Sequence, residues 1–217
     1  MREASPETRA NERWRVGPLD LRLAALLVGA KLLVHLATAN RYGYFRDELY
    51  FLDCGRHLDW GYVDCAPLIA LYAKAALLLG GSLVVLRTLA ALAGGARVLL
   101  TMVLARELGG GRFSQAIAGL CVLAAPIYLG TDSILTMNGF ESLFWMGCVF
   151  FLIRVVRAGD SRLWLWFGVL AGLGLENKHS TLLLGVAIVV SLLLSPQRRE
   201  FLEPWIWTGA AIALLIF

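Results

Sequence analysis

Apolar residues run along this chain in long blocks, and short stretches rich in Arg, Asp, Gly and aromatic residues separate them. The blocks at 21–39, 83–104, 113–129 and 140–156 each approach the ~20 residues that an α-helix needs to cross a hydrocarbon core of ~30 Å. The next stretch, 163–195, would make one helix of ~50 Å, too long for a single crossing. Glu176, Asn177, Lys178 and His179 interrupt it midway. Two short helices, 163–175 and 181–194, then form a hairpin that keeps Arg154, Arg157 and Arg162 on the same side as Arg198 and Arg199. The tendency of Lys and Arg to stay on the cytoplasmic side favours that arrangement over one long span. Another span starts near Trp205 and runs to Phe217, which predicts an all-α polytopic transmembrane bundle cut off after about seven spans. Residues 67–79 are apolar with a helical period but contain Lys74 and end at Gly80 and Gly81. They are expected to form an interfacial helix, since a full span would move Arg106 and Arg112 to the outer side.

Composition supports a membrane setting: 59% of the 217 residues are hydrophobic, 17% are charged, and the mean hydropathy is +0.69. The formal net charge of +4 does not point to nucleic acid, because the arginines sit in clusters between apolar blocks and form no continuous basic face. Residues 1–20, with Arg2, Arg9, Arg13 and Arg15, form a cytoplasmic tail, and 21–217 the membrane domain. Ala37-Thr38-Ala39 resembles a signal-peptide cleavage site, but Arg22, Lys31 and His35 interrupt what should be an uncharged core, so an uncleaved first span is expected. Cys121 and Cys148 fall within apolar blocks, whereas Cys54 and Cys65 share a polar loop. That pair would form a disulfide in an oxidising compartment, and two free small residues is the plainer expectation.

With a cytoplasmic N-terminus, the outer segments are the loop 40–66, the segment 130–139 and the hairpin tip 176–179. The unexplained polar residues gather there. The first loop sets Asp47 beside Glu48, with Arg46, Asp53, His57, Asp59 and Asp64 nearby, and Asp47, Tyr50 and Cys54 follow helical spacing. A catalytic surface and an interfacial helix with solvated charges fit this pattern equally well. In the second segment Asp132 falls in the loop, and Asn138 and Glu141 fall at the start of a span. There Glu141 serves either chemistry or the helix dipole. At the tip, Lys178 and His179 sit where neighbouring helices would hold them against an anion such as phosphate, with Arg87 joining them from the outer end of its span. Arg97 and Lys31 lie deeper and are expected to pack into the bundle interior.

The stretches YFRDELYFLDCGRHLDWGYVDCAPL, TMNGFESLFW and GLGLENKHS resemble the N-terminal part of bacterial family 39 glycosyltransferases, which are similar to protein mannosyltransferases and to the aminoarabinose transferases of lipid A. The likeness runs from about Arg41 to Leu194. It implies a GT-C membrane fold in the inner (plasma) membrane and an active site on the extracytoplasmic side. A polyprenyl-phosphate-linked sugar would be the donor, and an extracytoplasmic protein, lipid or glycan the acceptor. The family's paired acidic residues correspond to Asp47 and Glu48 and include the presumed base; a second acidic position corresponds to Glu141, and the basic residue of the tip to Lys178. Arg46, Lys178, His179, Arg87, His57, Tyr50 and Asn138 are the substrate-binding candidates. Relatives often carry Gln or His followed by two prolines where this chain has Asp64-Cys65-Ala66-Pro67. No cofactor is assigned: a carboxylate cluster suits a divalent metal, Mg²⁺ or Mn²⁺, yet Lys or Arg can offset the leaving phosphate's charge, so the metal stays open. A transporter or flippase is the alternative that charges at Lys31, Arg87 and Arg97 suggest, although no internal repeat accompanies them. A noncatalytic assembly partner is a third reading.

Overall fold

A computed structural model describes residues 16–217. Within that range the chain is helical and without strands, so all-α is the fold class. The helices are α1 (Leu21–Thr38), α2 (Arg46–Arg56), α3 (Leu68–Leu78), α4 (Leu83–Glu107), α5 (Arg112–Ala124), α6 (Pro126–Thr131), α7 (Met137–Ala158), α8 (Trp164–Asn177), α9 (Thr181–Leu193) and α10 (Pro204–Ile216). Three of them, α1, α4 and α7, are long and apolar enough to cross a membrane. The helix α4 is central and packs against α1, α5 and α7.

Local chemistry sets the helix ends. Asp20 caps α1 by accepting the Leu23 amide at 3.1 Å, and Ser82 caps α4 by accepting the Val85 amide at 3.3 Å. Gly159 ends α7 in the left-handed conformation, φ 65°, which a residue with a Cβ adopts at a cost. The expected single span 113–129 is broken. Ala125 is extended (φ −62°, ψ 122°) and Pro126 begins a separate helix, because proline has no N–H to continue the ladder and forces the preceding residue out of the helical region. The hairpin expected at 163–195 is present: Lys178 is extended (φ −163°, ψ 129°) and separates α8 from α9.

Polar contacts mark two opposite ends of the bundle. At one end Arg112 donates to Asp20 at 2.6 Å, the buried Gln115 amide bonds the Pro18 and Gly110 carbonyls at 3.2 Å each, and Arg157 bridges to Glu107 at 3.2 Å. Trp164 and Ser161 both donate to Glu200 there, at 3.0 Å. The α1 C-terminus, α2, α3, the 130–139 segment and the 177–180 tip share the opposite end, where Leu135, Phe51, Leu52, Ile69, Ala73 and Leu86 form one buried cluster. The helices α8 and α10 run side by side in the same direction, since Gly168 meets Gly209, Gly172 meets Ala213 and Ile216, and the His179 ring lies 5.7 Å from that of Phe217. A Cβ at Gly168 would fall on the Gly209 backbone, so the small residues set how closely these helices approach.

Candidate active site

The two carboxylates of the first loop occupy the first turn of α2 but different environments. Glu48 is fully buried and accepts four hydrogen bonds, from Arg87 Nε (3.3 Å) and Nη2 (3.2 Å), from the Leu135 amide (3.2 Å) and from the Phe45 amide (2.8 Å). Arg87 is equally occupied, because its remaining hydrogens go to the Ala39, Tyr42 and Gly43 carbonyls at 2.6, 3.1 and 2.7 Å. All five guanidinium donors thus serve to tie α4 to the loop after α1 and to α2. Asp47, one residue earlier, is half-exposed, and among the described residues its only ion pair is with the exposed Arg46 at 3.1 Å. Of the pair, Asp47 is the carboxylate with oxygens free to meet a ligand.

A second group forms where α7 meets the hairpin tip. Lys178 Nζ donates to Asn138 Oδ1 at 2.7 Å and to Glu141 Oε2 at 3.1 Å, and Ser180 donates to Glu141 Oε1. Asn177 anchors the tip by donating to the Met137 carbonyl at 2.9 Å. Glu141 lies in the second turn of α7, beyond the unpaired amides of the first, so lysine and serine and not the helix dipole hold it. An ammonium has three donors, and the third of Lys178 remains for a ligand on its exposed side. The Asp47 and Lys178 groups share one scaffold: Leu135 is bonded to Glu48, Phe140 stacks on Tyr72 of α3 at 4.1 Å, and both belong to or pack on the same buried cluster.

The other candidates lie at this end but outside those two groups. Tyr50 donates to Asp64 at 2.5 Å, and that bond, ahead of burial, raises the phenol's pKa above its ordinary value. His57 is the exposed C-cap of α2, and His179 is exposed against Phe217. Cys54 and Cys65 are free and buried, the Cys65 thiol pushed up to about 11 chiefly by burial.

Sequence reasoning missed the largest polar feature. Asp132, in the turn that follows α6, is fully buried, with Lys31 Nζ at 2.8 Å and Arg97 Nη1 at 2.5 Å. Arg97 also donates to Ser142 Oγ at 2.6 Å and to the Gly139 carbonyl and lies over the Tyr128 ring at 4.4 Å, while Lys31 donates to the Tyr128 carbonyl at 3.0 Å. Gly94 leaves the space, since a Cβ there would stand 2.5 Å from Asp132 Oδ2. Two cations inside spans demand a buried anion, and that requirement was the available signal. The expectation that Lys31 and Arg97 pack into the interior matches what is seen.

Among the described residues no three His, Cys, Asp or Glu side chains converge as a metal centre would require. With both Glu48 oxygens already taken by donors, Asp47 and Glu48 do not fit a shared divalent ion.

Antiparallel apolar helices, with carboxylates, an amide and a lysine gathered at one polar end, define an α-helical membrane protein. The chain belongs to the dolichyl-phosphate-mannose-protein mannosyltransferase family, which it matches over residues 64–217; it is a membrane glycosyltransferase of that type. No curated protein and no solved structure gives a match. The matched region contains Arg87, Asn138, Glu141, Lys178 and His179, whereas Arg46, Asp47, Glu48, Tyr50 and His57 precede it.

Proposed function

We propose that the protein transfers a sugar from a polyprenyl-phosphate-linked donor to an acceptor hydroxyl on the side of the inner membrane facing away from the cytoplasm, with inversion at the anomeric carbon. The observation that carries this reading is the Lys178, Asn138 and Glu141 group, inside the family-matched region and on the same end as the free carboxylate of Asp47. In the proposed step Asp47 takes the acceptor's hydroxyl proton as the oxygen forms its bond to the anomeric carbon. The bond from that carbon to the phosphate oxygen breaks opposite, and its electron pair leaves with the lipid phosphate. Lys178 offsets the charge developing there, with Asn138 and Glu141 fixing its ammonium. Arg46 is exposed and free to swing toward the same phosphate, while Arg87 acts by holding Glu48 and the loop in place.

The residues that suggested a transporter are locked in pairs, Lys31 and Arg97 on Asp132 and Arg87 on Glu48, which favours a structural role for each over a place on a transport path. The test is transfer of radiolabelled mannose from synthetic polyprenyl-phosphate mannose in membranes holding the protein, Asp47→Asn or Lys178→Met. Both variants should lose most of the activity while keeping their expression level. Parental rates in Asp47→Asn would remove the base assignment, and absence of transfer with the unaltered protein across several sugars would remove the reading.

A further inference from the structure

At the end of the bundle that holds Asp20, Glu107 and Glu200, most cations already have partners. Arg106 and Arg157 are held by Glu107 and Arg112 by Asp20, while Arg154 and Arg162 lie over the Phe150 and Trp205 rings at 5.8 Å each. Arg198 and Arg199 differ. Both are exposed, and among the described residues their guanidinium groups meet no carboxylate, carbonyl or ring.

The pair sits in an elbow of the chain. After α9 ends at Leu193, a 3-10 helix, Pro196–Leu202, leaves it at 110°. Pro196 has no N–H to continue the ladder, and Ser195 fixes the corner, its hydroxyl donating to the Leu192 carbonyl at 3.1 Å and accepting the Gln197 amide at 3.3 Å. The elbow holds a cavity of about 550 Å³ lined by Leu193, Leu194, Ser195, Pro196, Arg198 and Arg199, a volume within the range of roughly 300–1,000 Å³ usual for small-molecule sites. Among the described residues no carboxylate lines it. Glu200 turns instead to Ser161 and Trp164, and Glu203 is exposed outside the cavity. A second cavity at this end, lined by Arg22 and Arg112, includes Asp20 and so carries its own counter-ion.

Two guanidinium groups without counter-ions call for an anion, and each presents a planar fork of donors that suits phosphate oxygens. The other wall of the elbow is apolar: Leu193 is 55% and Leu194 84% exposed, at the end of a 13-residue helix that contains no charge. A soluble anion would leave that wall bare, whereas an anionic amphiphile covers it. An anionic phospholipid offers phosphate and acyl chain together where an apolar helix gives way to basic residues. We propose that the elbow binds such a lipid, with Arg198 and Arg199 on the headgroup phosphate and an acyl chain along Leu193 and Leu194. The full length of α9 separates this site from the Lys178 tip, so the lipid anchors the bundle in the bilayer and the site stands independently of the transfer chemistry.

The test measures binding of palmitoyl-oleoyl phosphatidylglycerol and of the matching phosphatidylcholine to the purified full chain, by native mass spectrometry from detergent. The unaltered protein should prefer the anionic lipid. Arg198→Gln combined with Arg199→Gln should reduce that preference about thirtyfold, at about fivefold per arginine. Arg154→Gln combined with Arg162→Gln removes the same charge from the same end and should leave the preference in place. Leu194→Glu sets a carboxylate in the cavity while keeping both arginines; it should lower the preference as well, and it carries the test where the first double variant fails to fold. Equal losses in the two double variants would mean diffuse attraction by the whole basic end and overturn the site. A preference unchanged in the folded Arg198 and Arg199 variant overturns it too, as does an unaltered protein that binds both lipids equally. Tighter binding of farnesyl phosphate than of phosphatidylglycerol, lost with the same two arginines, would overturn the assignment to a phospholipid.

Discussion

Adjacent carboxylates in α2 have opposite environments, and the difference decides what each substitution does. Removing the charge of Glu48 leaves Arg87 buried without its counter-ion, a loss of about 3–5 kcal/mol by analogy with other broken buried pairs. Glu48→Gln should thus lower the unfolding midpoint in detergent, while Asp47→Asn should leave that midpoint unchanged and reduce transfer by about 10²–10⁴-fold. A stable but inactive Glu48→Gln would reverse these assignments. The Cys65 thiol illustrates burial without pairing. Its pKa rises from 9.0 to about 11, so the neutral thiol is the form that the fold accommodates. Folded pKa above unfolded pKa means that this contribution to stability is complete below pH 9 and is lost as the pH climbs through 11. Alkylation of Cys65 by a maleimide should accordingly be slow at pH 8 and accelerate above pH 10, beyond the rate gain shown by a free thiol peptide only where the loop opens. Rapid labelling at pH 7 would contradict the buried placement.

Most elements were legible because each follows from a local rule. The apolar blocks gave α1, α4 and α7, and the charge clusters flanking 163–195 gave a hairpin where length alone would not have separated one helix from two. The break before Pro126 inside the apolar run 113–129 is also local, since proline cannot continue the helical hydrogen-bond ladder. What a linear reading could not reach was partnership across the bundle. Asp132 sits in sequence far from both Lys31 and Arg97, and Glu48 is fixed by Arg87 from another helix. Asp47 and Glu48 therefore looked equivalent, and only the packing tells them apart. The contact between α8 and α10 is a further tertiary property, and it yields a matched pair of substitutions. Gly168→Ala places a methyl group against the Gly209 backbone, whereas Gly185→Ala on α9 meets nothing within 4 Å. Overpacking of this kind costs about 1–3 kcal/mol. The first variant should lose several degrees in unfolding midpoint and the second none; equal midpoints would show that α8 and α10 do not approach this closely.

For the molecule as a whole, the bundle has a basic end and a carboxylate-bearing end, and the proposed chemistry depends on which of them faces outward. Arg106, Arg112, Arg154, Arg157, Arg162, Arg198 and Arg199 lie at or beside the turns of one end. The tendency of short basic loops to remain cytoplasmic predicts that Asp47, Glu141 and Lys178 face the opposite side. The proposed lipid-phosphate donor belongs to that orientation, with its phosphate and sugar at the face that carries Lys178 and Asp47. Orientation thus constrains the donor before any assay of transfer. Single cysteines at Trp60 and Arg198, both exposed, report on the two ends once the exposed Cys121 is changed to Ser. In spheroplasts a membrane-impermeant maleimide should label Trp60→Cys directly and Arg198→Cys only after permeabilisation. The reverse pattern would turn the carboxylates and Lys178 toward the cytoplasm, where a lipid-phosphate donor loses its rationale even if the protein transfers sugar.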